Sequence, residues 1–269
     1  MRLKDKVLIV TGGASGIGKS ISTRAASEGA KVVVADIRED PLEGGENTVD
    51  AIINSGGDST FMNTDVTDDK DVKKLVANTV KKYGFLDIMI NNAAAHGRAA
   101  LLETTEEEWD RVMAVGAKGM FFGCKYAIEQ MLKQNPRQGS EVRGRIVNIS
   151  STEGFGASPF HSPYTAAKHG VIGLTRSLAL ELGPKGITVN CICPGPINTN
   201  MTSAIDDKDK NTYARRRVGL KRYGEPEEVA HATLSLCLPS SSFINGVALP
   251  AVSYTHLRAH ETLRYLVCR

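Results

Sequence analysis

Short runs of aliphatic and β-branched residues alternate along this chain with stretches whose apolar positions recur every three or four residues. Val7–Thr11, Lys31–Asp36, Ser59–Asn63, Leu86–Asn91, Gly144–Ser150, Ile187–Cys193 and Phe243–Leu249 read as strands. They are short and nearly continuously apolar, as strands covered on both faces are. Between them lie amphipathic helix patterns. Residues 68–83 place Val72, Leu75, Val76, Thr79, Val80 and Tyr83 on one face, and Thr104 with Glu107 reads as a capping box ahead of Trp109, Val112 and Met113.

Regular β–α alternation specifies a parallel sheet, and right-handed crossovers place helices on both of its faces. The expectation is therefore one doubly wound, Rossmann-type α/β domain over residues 1–251, with a seven-stranded parallel sheet. Two stretches interrupt the rhythm. Residues 196–224 carry the mixed-charge segment 206–210 and the run Arg215-Arg216-Arg217, and are expected to form a long lid loop with a solvated charged face. Residues 252–269 show neither period nor turn logic, and they resemble the translation of a transposase-type sequencing adapter, so they are read as a non-native tail.

With 269 residues, 41% hydrophobic and 23% charged, the composition is that of a soluble globular protein. The net charge of +3 is too small to suggest nucleic acid or an anionic membrane as partner. Most of it sits in the tail, where Arg258, Arg264 and Arg269 face Glu261 alone. No apolar run approaches the roughly 20 residues of a membrane span, and the N-terminus shows no signal-like core, so a cytoplasmic location is expected. The five cysteines, at 124, 191, 193, 237 and 268, have no CxxC pairing and no histidine cluster nearby, which points to core thiols rather than a disulfide framework or a metal site.

The chemistry begins at the end of the first strand. Thr11-Gly12-Gly13-Ala14-Ser15-Gly16-Ile17-Gly18 runs straight into a helix pattern through Ile21, Ala25 and Ala26. Such a loop turns backbone N–H groups at a helix N-terminus toward a pyrophosphate, with glycine wherever backbone and phosphate approach closely. Asp36 closes the second strand, where a carboxylate accepts hydrogen bonds from the adenosine ribose hydroxyls. Ile37 follows it and offers no cation to a 2′-phosphate, while Arg38 next to it is the one cation that could, and NAD is expected over NADP.

Tyr164 and Lys168 are one helical turn apart at the start of a helix striped by Val171, Ile172, Leu174 and Leu178, and Ser151 closes the fifth strand. A tyrosine with its ordinary pKa of about 10 is a poor base at neutral pH. Lys168, with a cationic nicotinamide, is expected to depress the Tyr164 pKa, and Ser151 to orient an oxygen beside it.

Together these residues resemble the short-chain dehydrogenase/reductase family, over about residues 6–251. The motifs are TGGASGIG at 11–18, Asp65-Val66, Asn91-Asn92-Ala93-Ala94, Ser151, YTAAK at 164–168 and PGPINT at 194–199. The resemblance implies that Gly12, Ser15, Gly16, Ile17 and Gly18 line the pyrophosphate and that Asp65 and Val66 contact adenine. It implies Asn92 and Ala93 along the ribose, Pro194, Gly195, Ile197 and Thr199 at the carboxamide, and Lys168 also on the nicotinamide ribose. A homotetramer is implied as well. The chain departs from the pattern at Ala94 for glycine, at Gly116 for the asparagine of the proton-relay tetrad, and after Ala251.

The expected activity is hydride transfer between NAD(H) and a small secondary alcohol or ketone, with Ser151, Tyr164 and Lys168 catalytic and no metal. The alternative is a cofactor-binding protein with little turnover, because Gly116 breaks the tetrad. Enoyl reductases of the superfamily space their tyrosine and lysine more widely. His96, Glu153, Phe155, Phe160, His161 and Met201 flank the expected substrate pocket.

Overall fold

The computed structural model describes residues 1–138, 140 and 142–253. A parallel sheet of seven strands runs in the order β3-β2-β1-β4-β5-β6-β7. The strands are β1 (Val7–Thr11), β2 (Lys31–Asp36), β3 (Asp58–Asn63), β4 (Ile88–Asn91), β5 (Gly144–Ile149), β6 (Ile187–Pro194) and β7 (Ala248–Ala251). The helices are α1 (Gly16–Ser27), α2 (Thr48–Asn54), α3 (Asp69–Tyr83), α4 (Glu106–Met113), α5 (Gly119–Lys133), α6 (Ser162–Leu182), α7 (Asp207–Arg217) and α8 (Pro226–Ser235). Strand side chains alternate between two cores. Leu8, Val10, Val34, Ile90 and Val147 pack with Ile21, Ala25, Ile52 and Val229 on one face. Ile9, Val33, Met89, Ile146 and Val189 pack with Val72, Leu75, Phe122, Met131 and Leu182 on the other.

After β3 the chain crosses back to place β4 beside β1, so the strand order reverses between these two central strands. A crevice at their carboxyl ends is the expected ligand position of such a sheet. A buried chain of amides ties the centre together, with Asn91 Nδ2 donating to Asn148 Oδ1 at 2.8 Å and Asn148 Nδ2 to Thr175 Oγ1 at 3.0 Å.

Several boundaries differ from the sequence expectation. The last strand is Ala248–Ala251 rather than Phe243–Leu249, because Gly246 turns with φ +77° and Asn245 is held by Val189 N and the Ala179 carbonyl. Phe243 is fully exposed, and Pro250 is tolerated because β7 is an edge strand. The cap of α4 is Thr105, which accepts from Glu108 N at 3.2 Å, while Thr104 donates back to the Ala100 carbonyl. The 196–224 segment is not a plain loop. It contains a 3₁₀ turn (Asn200–Thr202) and α7, capped by Asp206 and carrying its three arginines in the last turn, where they suit the helix dipole. Val252 and Ser253 were assigned by pattern to the tail, yet they pack on the body. Gly219 N donates to the Ser253 carbonyl, and Leu220 N to Ser253 Oγ at 2.8 Å. The rest of that tail, 254–269, lies outside the described residues.

Candidate active site

The glycine-rich loop between β1 and α1 is packed so closely that side chains are excluded. A Cβ on Gly18 would strike the Gly12 carbonyl oxygen, and one on Gly12, where φ is +63°, would lie 2.9 Å from Asn92 Nδ2. Asn92 holds this geometry: its amide donates to the Thr11 and Gly12 carbonyls at 2.9 and 3.1 Å. The Asn92 and Ala93 N–H groups both donate to Thr11 Oγ1. The Asn92 side chain thus braces the loop, a use of the amide that its expected place along a ribose did not anticipate.

The start of α1 already holds an anion. Gly16 N donates to Glu43 Oε1 at 2.8 Å, and Leu42 N donates to Ser15 Oγ at 2.8 Å, so the 42–43 segment folds across the loop. A carboxylate at this point is what unpaired N–H groups and the helix dipole favour. Ile17 packs on the core behind the loop. At the end of β2, Asp36 accepts from Ala14 N at 3.2 Å and Ile37 N at 2.8 Å, which aims its carboxylate at the loop while Ile37 is exposed. Asp65 closes a turn by accepting from both Thr67 N and Thr67 Oγ1, and Val66 is buried. A Cβ on Gly119 would lie 2.9 Å from Val66, so the glycine lets α5 approach that wall. Sequence reasoning missed both Gly119 and Glu43, since neither falls in a recognisable motif.

On the other side of the crevice, Pro194 ends β6, Gly195 N donates to the Ala251 carbonyl at 3.1 Å, and Ile197 is buried. Thr199 comes round to the glycine loop, its Cγ2 3.4 Å from where a Gly16 Cβ would be. The structure therefore brings the 11–18 and 194–199 segments together at the carboxyl ends of the strands.

Ser151 follows β5 and caps a short 3₁₀ turn, accepting from Glu153 N at 3.1 Å. Tyr164 stands in the first turn of α6, with Lys168 one turn further on. Lys168 is 1% exposed, and its Nζ donates to the Ile149 carbonyl at 2.7 Å. Ser150 Oγ donates to the Lys168 carbonyl at 2.9 Å, fixing the helix to the strand end. Burial lowers the Lys168 amine to about 8, against the opposing influence of Cys193 and Cys191. The Tyr164 phenol moves opposite to the sequence expectation. Burial pushes it up to about 12, a hydrogen bond with Ser151 opposes this, and the Glu153 charge adds to it. Removing water from a phenolate outweighs what the chain's own groups return to it.

Of the flanking residues, His96 packs on both His161 and Tyr164, with ring centres 4.9 and 5.2 Å apart. Glu153 is tied up by Ser158 and Thr165, each bonded to it at 2.8 Å or less. Phe155 packs against Ile172, Cys191 and Cys193, while Phe160 and Met201 are about half exposed. Cys124, Cys191, Cys193 and Cys237 are buried free thiols. Among the described residues no cluster could hold a metal ion, and no helix is long and apolar enough to cross a membrane.

This arrangement has close counterparts. The profile of the family described as Enoyl-(Acyl carrier protein) reductase matches residues 12–251. A 3-oxoacyl-(acyl-carrier-protein) reductase of Thermotoga maritima is 39% identical over 91% of this chain and 96% of its own length. The meso-2,3-butanediol dehydrogenase of Serratia marcescens is 34% identical over 93% and 94%. Among solved structures, levodione reductase superposes with a TM-score of 0.84 at 31% identity, covering 94% of this chain and 98% of that one. An Agrobacterium tumefaciens protein described as a 2-deoxy-D-gluconate 3-dehydrogenase, solved with bound NADP, gives 0.81 at 33% identity, covering 93% and 96%. With its fold, its glycine loop and its Ser151, Tyr164 and Lys168 in this setting, the chain belongs to the short-chain dehydrogenase/reductase family of oxidoreductases.

Proposed function

We propose that this oxidoreductase interconverts a small secondary alcohol and a ketone with NAD(H), using Tyr164 as general acid and base. The observation that carries the reading is Tyr164 in the first turn of α6, with Lys168 Nζ 5.5 Å from its ring centre and Ser151 close enough to influence its phenol. The cradle fits a dinucleotide. Gly12, Ser15, Gly16, Ile17 and Gly18 would hold the pyrophosphate at the position where Glu43 already bonds Gly16 N. Asp36 and Ile37 would meet the adenosine ribose, Asp65 and Val66 the adenine, and Asn92 and Ala93 would lie along the ribose. Pro194, Gly195, Ile197 and Thr199 would hold the carboxamide end. When bound, nicotinamide supplies the hydride acceptor for oxidation and the donor for reduction.

The chain's own residues manage the proton and the oxygen. Ser151 donates to the substrate oxygen and Tyr164 exchanges a proton with it, so the oxygen never carries a full isolated charge. Lys168 keeps a cation one turn from the phenol, anchored on Ile149, and favours the phenolate that oxidation requires. The four-residue spacing of Tyr164 and Lys168 favours this reaction over reduction of an enoyl double bond. The proposed working form is a cytoplasmic homotetramer, its assembly checked by mass from light scattering.

Asp36 supports NAD over NADP. Two unit charges 4 Å apart repel by about 4 kcal/mol at an effective dielectric of 20, which exposure reduces to about 1–3 kcal/mol against a 2′-phosphate. The test measures kcat/KM with NAD and NADP across a panel of secondary alcohols, alongside NADH binding by fluorescence. At least a tenfold preference for NAD is expected. Equal efficiencies overturn the cofactor assignment, and binding without turnover of any alcohol or ketone overturns the reaction.

A further inference from the structure

Two contacts and one backbone conformation set the His96 imidazole against Tyr164 and the His161 imidazole against His96. Arg111 on α4, itself paired with Glu108 at 2.9 Å, donates from Nη2 to the His96 carbonyl at 2.7 Å and so fixes the segment after β4. Ala99 N donates to the Phe160 carbonyl at 3.0 Å, which locks that segment to the approach to α6. Phe160 meanwhile holds φ at +70°, a left-handed conformation that a bulky side chain adopts only where surrounding structure enforces it. The residue that this turn delivers is His161. Its ring lies 4.9 Å from that of His96, whose ring meets Tyr164 edge-on at 5.2 Å.

The tautomer of His161 follows from its partner. His161 Nδ1 lies 2.9 Å from the Pro159 carbonyl oxygen, which can only accept, so Nδ1 carries a proton and Nε2 faces the other side of the ring. Burial first, then the charges of His161, Arg98 and Arg111, lower the His96 pKa against the opposing Glu108 charge, which favours a neutral ring at His96. A hydroxyl both donates and accepts, so it can bond an imidazole in either protonation state, whereas the nearby Glu153 charge disfavours a carboxylate.

We propose that His96 and His161 form a second polar subsite, for a hydroxyl on the carbon next to the reacting one, so that vicinal diols and α-hydroxyketones are the preferred substrates. The inference rests on the alcohol–ketone reading and narrows it. With the substrate oxygen bonded to Ser151 and Tyr164, a group borne close to the reacting carbon is the one that reaches His96, packed on the Tyr164 ring, and His161 against it.

The test compares butane-2,3-diol with butan-2-ol, as kcat/KM for NADH formation by the full chain. Wild type should favour the diol by about tenfold or more, the discrimination that one good hydrogen bond provides. His161→Phe and His96→Phe should each bring that ratio toward one. His161→Gln, whose side-chain oxygen accepts, should restore part of it, and NADH binding by fluorescence verifies that each variant is folded. A wild-type ratio near one overturns the inference, as does a ratio unchanged in both Phe variants. If wild type binds NADH but oxidises neither compound, nor any other secondary alcohol, the alcohol–ketone reading itself fails and this inference with it.

Discussion

Lys168 Nζ stands 5.5 Å from the centre of the Tyr164 ring while donating to the Ile149 carbonyl at 2.7 Å. The two groups have opposed electrostatic needs. Burial holds the phenol up at about 12 and the amine down at about 8, so each charged form is costly in the protein alone. Phenolate and ammonium relieve each other only as a pair, and this coupling makes the strand end and the first turns of α6 a poised proton site.

Lys168 should therefore cost stability. Its folded pKa, about 8, lies below the unfolded value near 10.4. The unfolded chain binds more protons between those values, so stability rises with pH from about 8 to 10 as the penalty is relieved. Lys168→Met removes a buried charge and should stabilise the fold at pH 7 by about 2 kcal/mol, an advantage that shrinks by pH 10, while turnover collapses. Thermal unfolding of both proteins at the two pH values checks this, and a variant less stable at pH 7 contradicts it.

Tyr164→Phe should leave NADH binding nearly unchanged and lower alcohol oxidation by at least about a thousandfold, because the ring stays packed on His96 while the proton acceptor is lost. In the wild type, oxidation should increase with pH on the alkaline side as the Tyr164 phenol, pushed up by desolvation, ionises. Retention of a tenth of the rate by the Phe variant would remove Tyr164 from the chemistry.

The core was readable because buried parallel strands announce themselves as apolar runs, and Val7–Thr11 and Lys31–Asp36 match their predicted limits. The last strand was not. There the pattern continues through Phe243 and Ile244, but a turn at Gly246 and the Asn245 side chain takes over the hydrogen bonds. At the site, spacing alone placed Tyr164 and Lys168 on one helix face, since helical geometry is local. The sign of the tyrosine shift was not legible, because it depends on how much water three separate elements exclude. Glu43 was illegible for a similar reason: its partner, Gly16, is 27 residues away and on a different element.

Glu43 should compete with the cofactor. Its carboxylate accepts from Gly16 N at the head of α1, where a pyrophosphate would bind, and like charge must be displaced before a phosphate enters. Glu43→Gln weakens that contact without changing the loop, and should tighten NADH binding by about three- to tenfold, with a smaller salt dependence. A fluorescence titration at two ionic strengths measures this. Weaker binding in the variant would instead make Glu43 a support of the site.

Gly116 gives the last expectation. The residue is buried in a π-helical stretch, Ala114–Lys118, that joins α4 to α5, and such one-turn irregularities are frequent at functional sites. A Cβ there would meet only the Ala167 Cβ, at an ordinary 3.5 Å, so a Cβ is admitted next to the residue that precedes Lys168. In the family resemblance this position carries an asparagine that holds a water near the lysine and connects the active-site tyrosine to solvent. Glycine offers no polar group for that purpose, and a helical glycine costs about 0.5–1 kcal/mol relative to alanine. Water admitted to that space would offer Lys168, buried and bonded to Ile149, a route for a proton outward. Gly116→Asn should therefore raise turnover on a good substrate by roughly tenfold, equivalent to about 1.4 kcal/mol of barrier, with no loss of thermal stability. If turnover is unchanged or lower while NADH binding and the melting temperature hold, the proton does not leave past residue 116, and the glycine is an adapted feature of this chain.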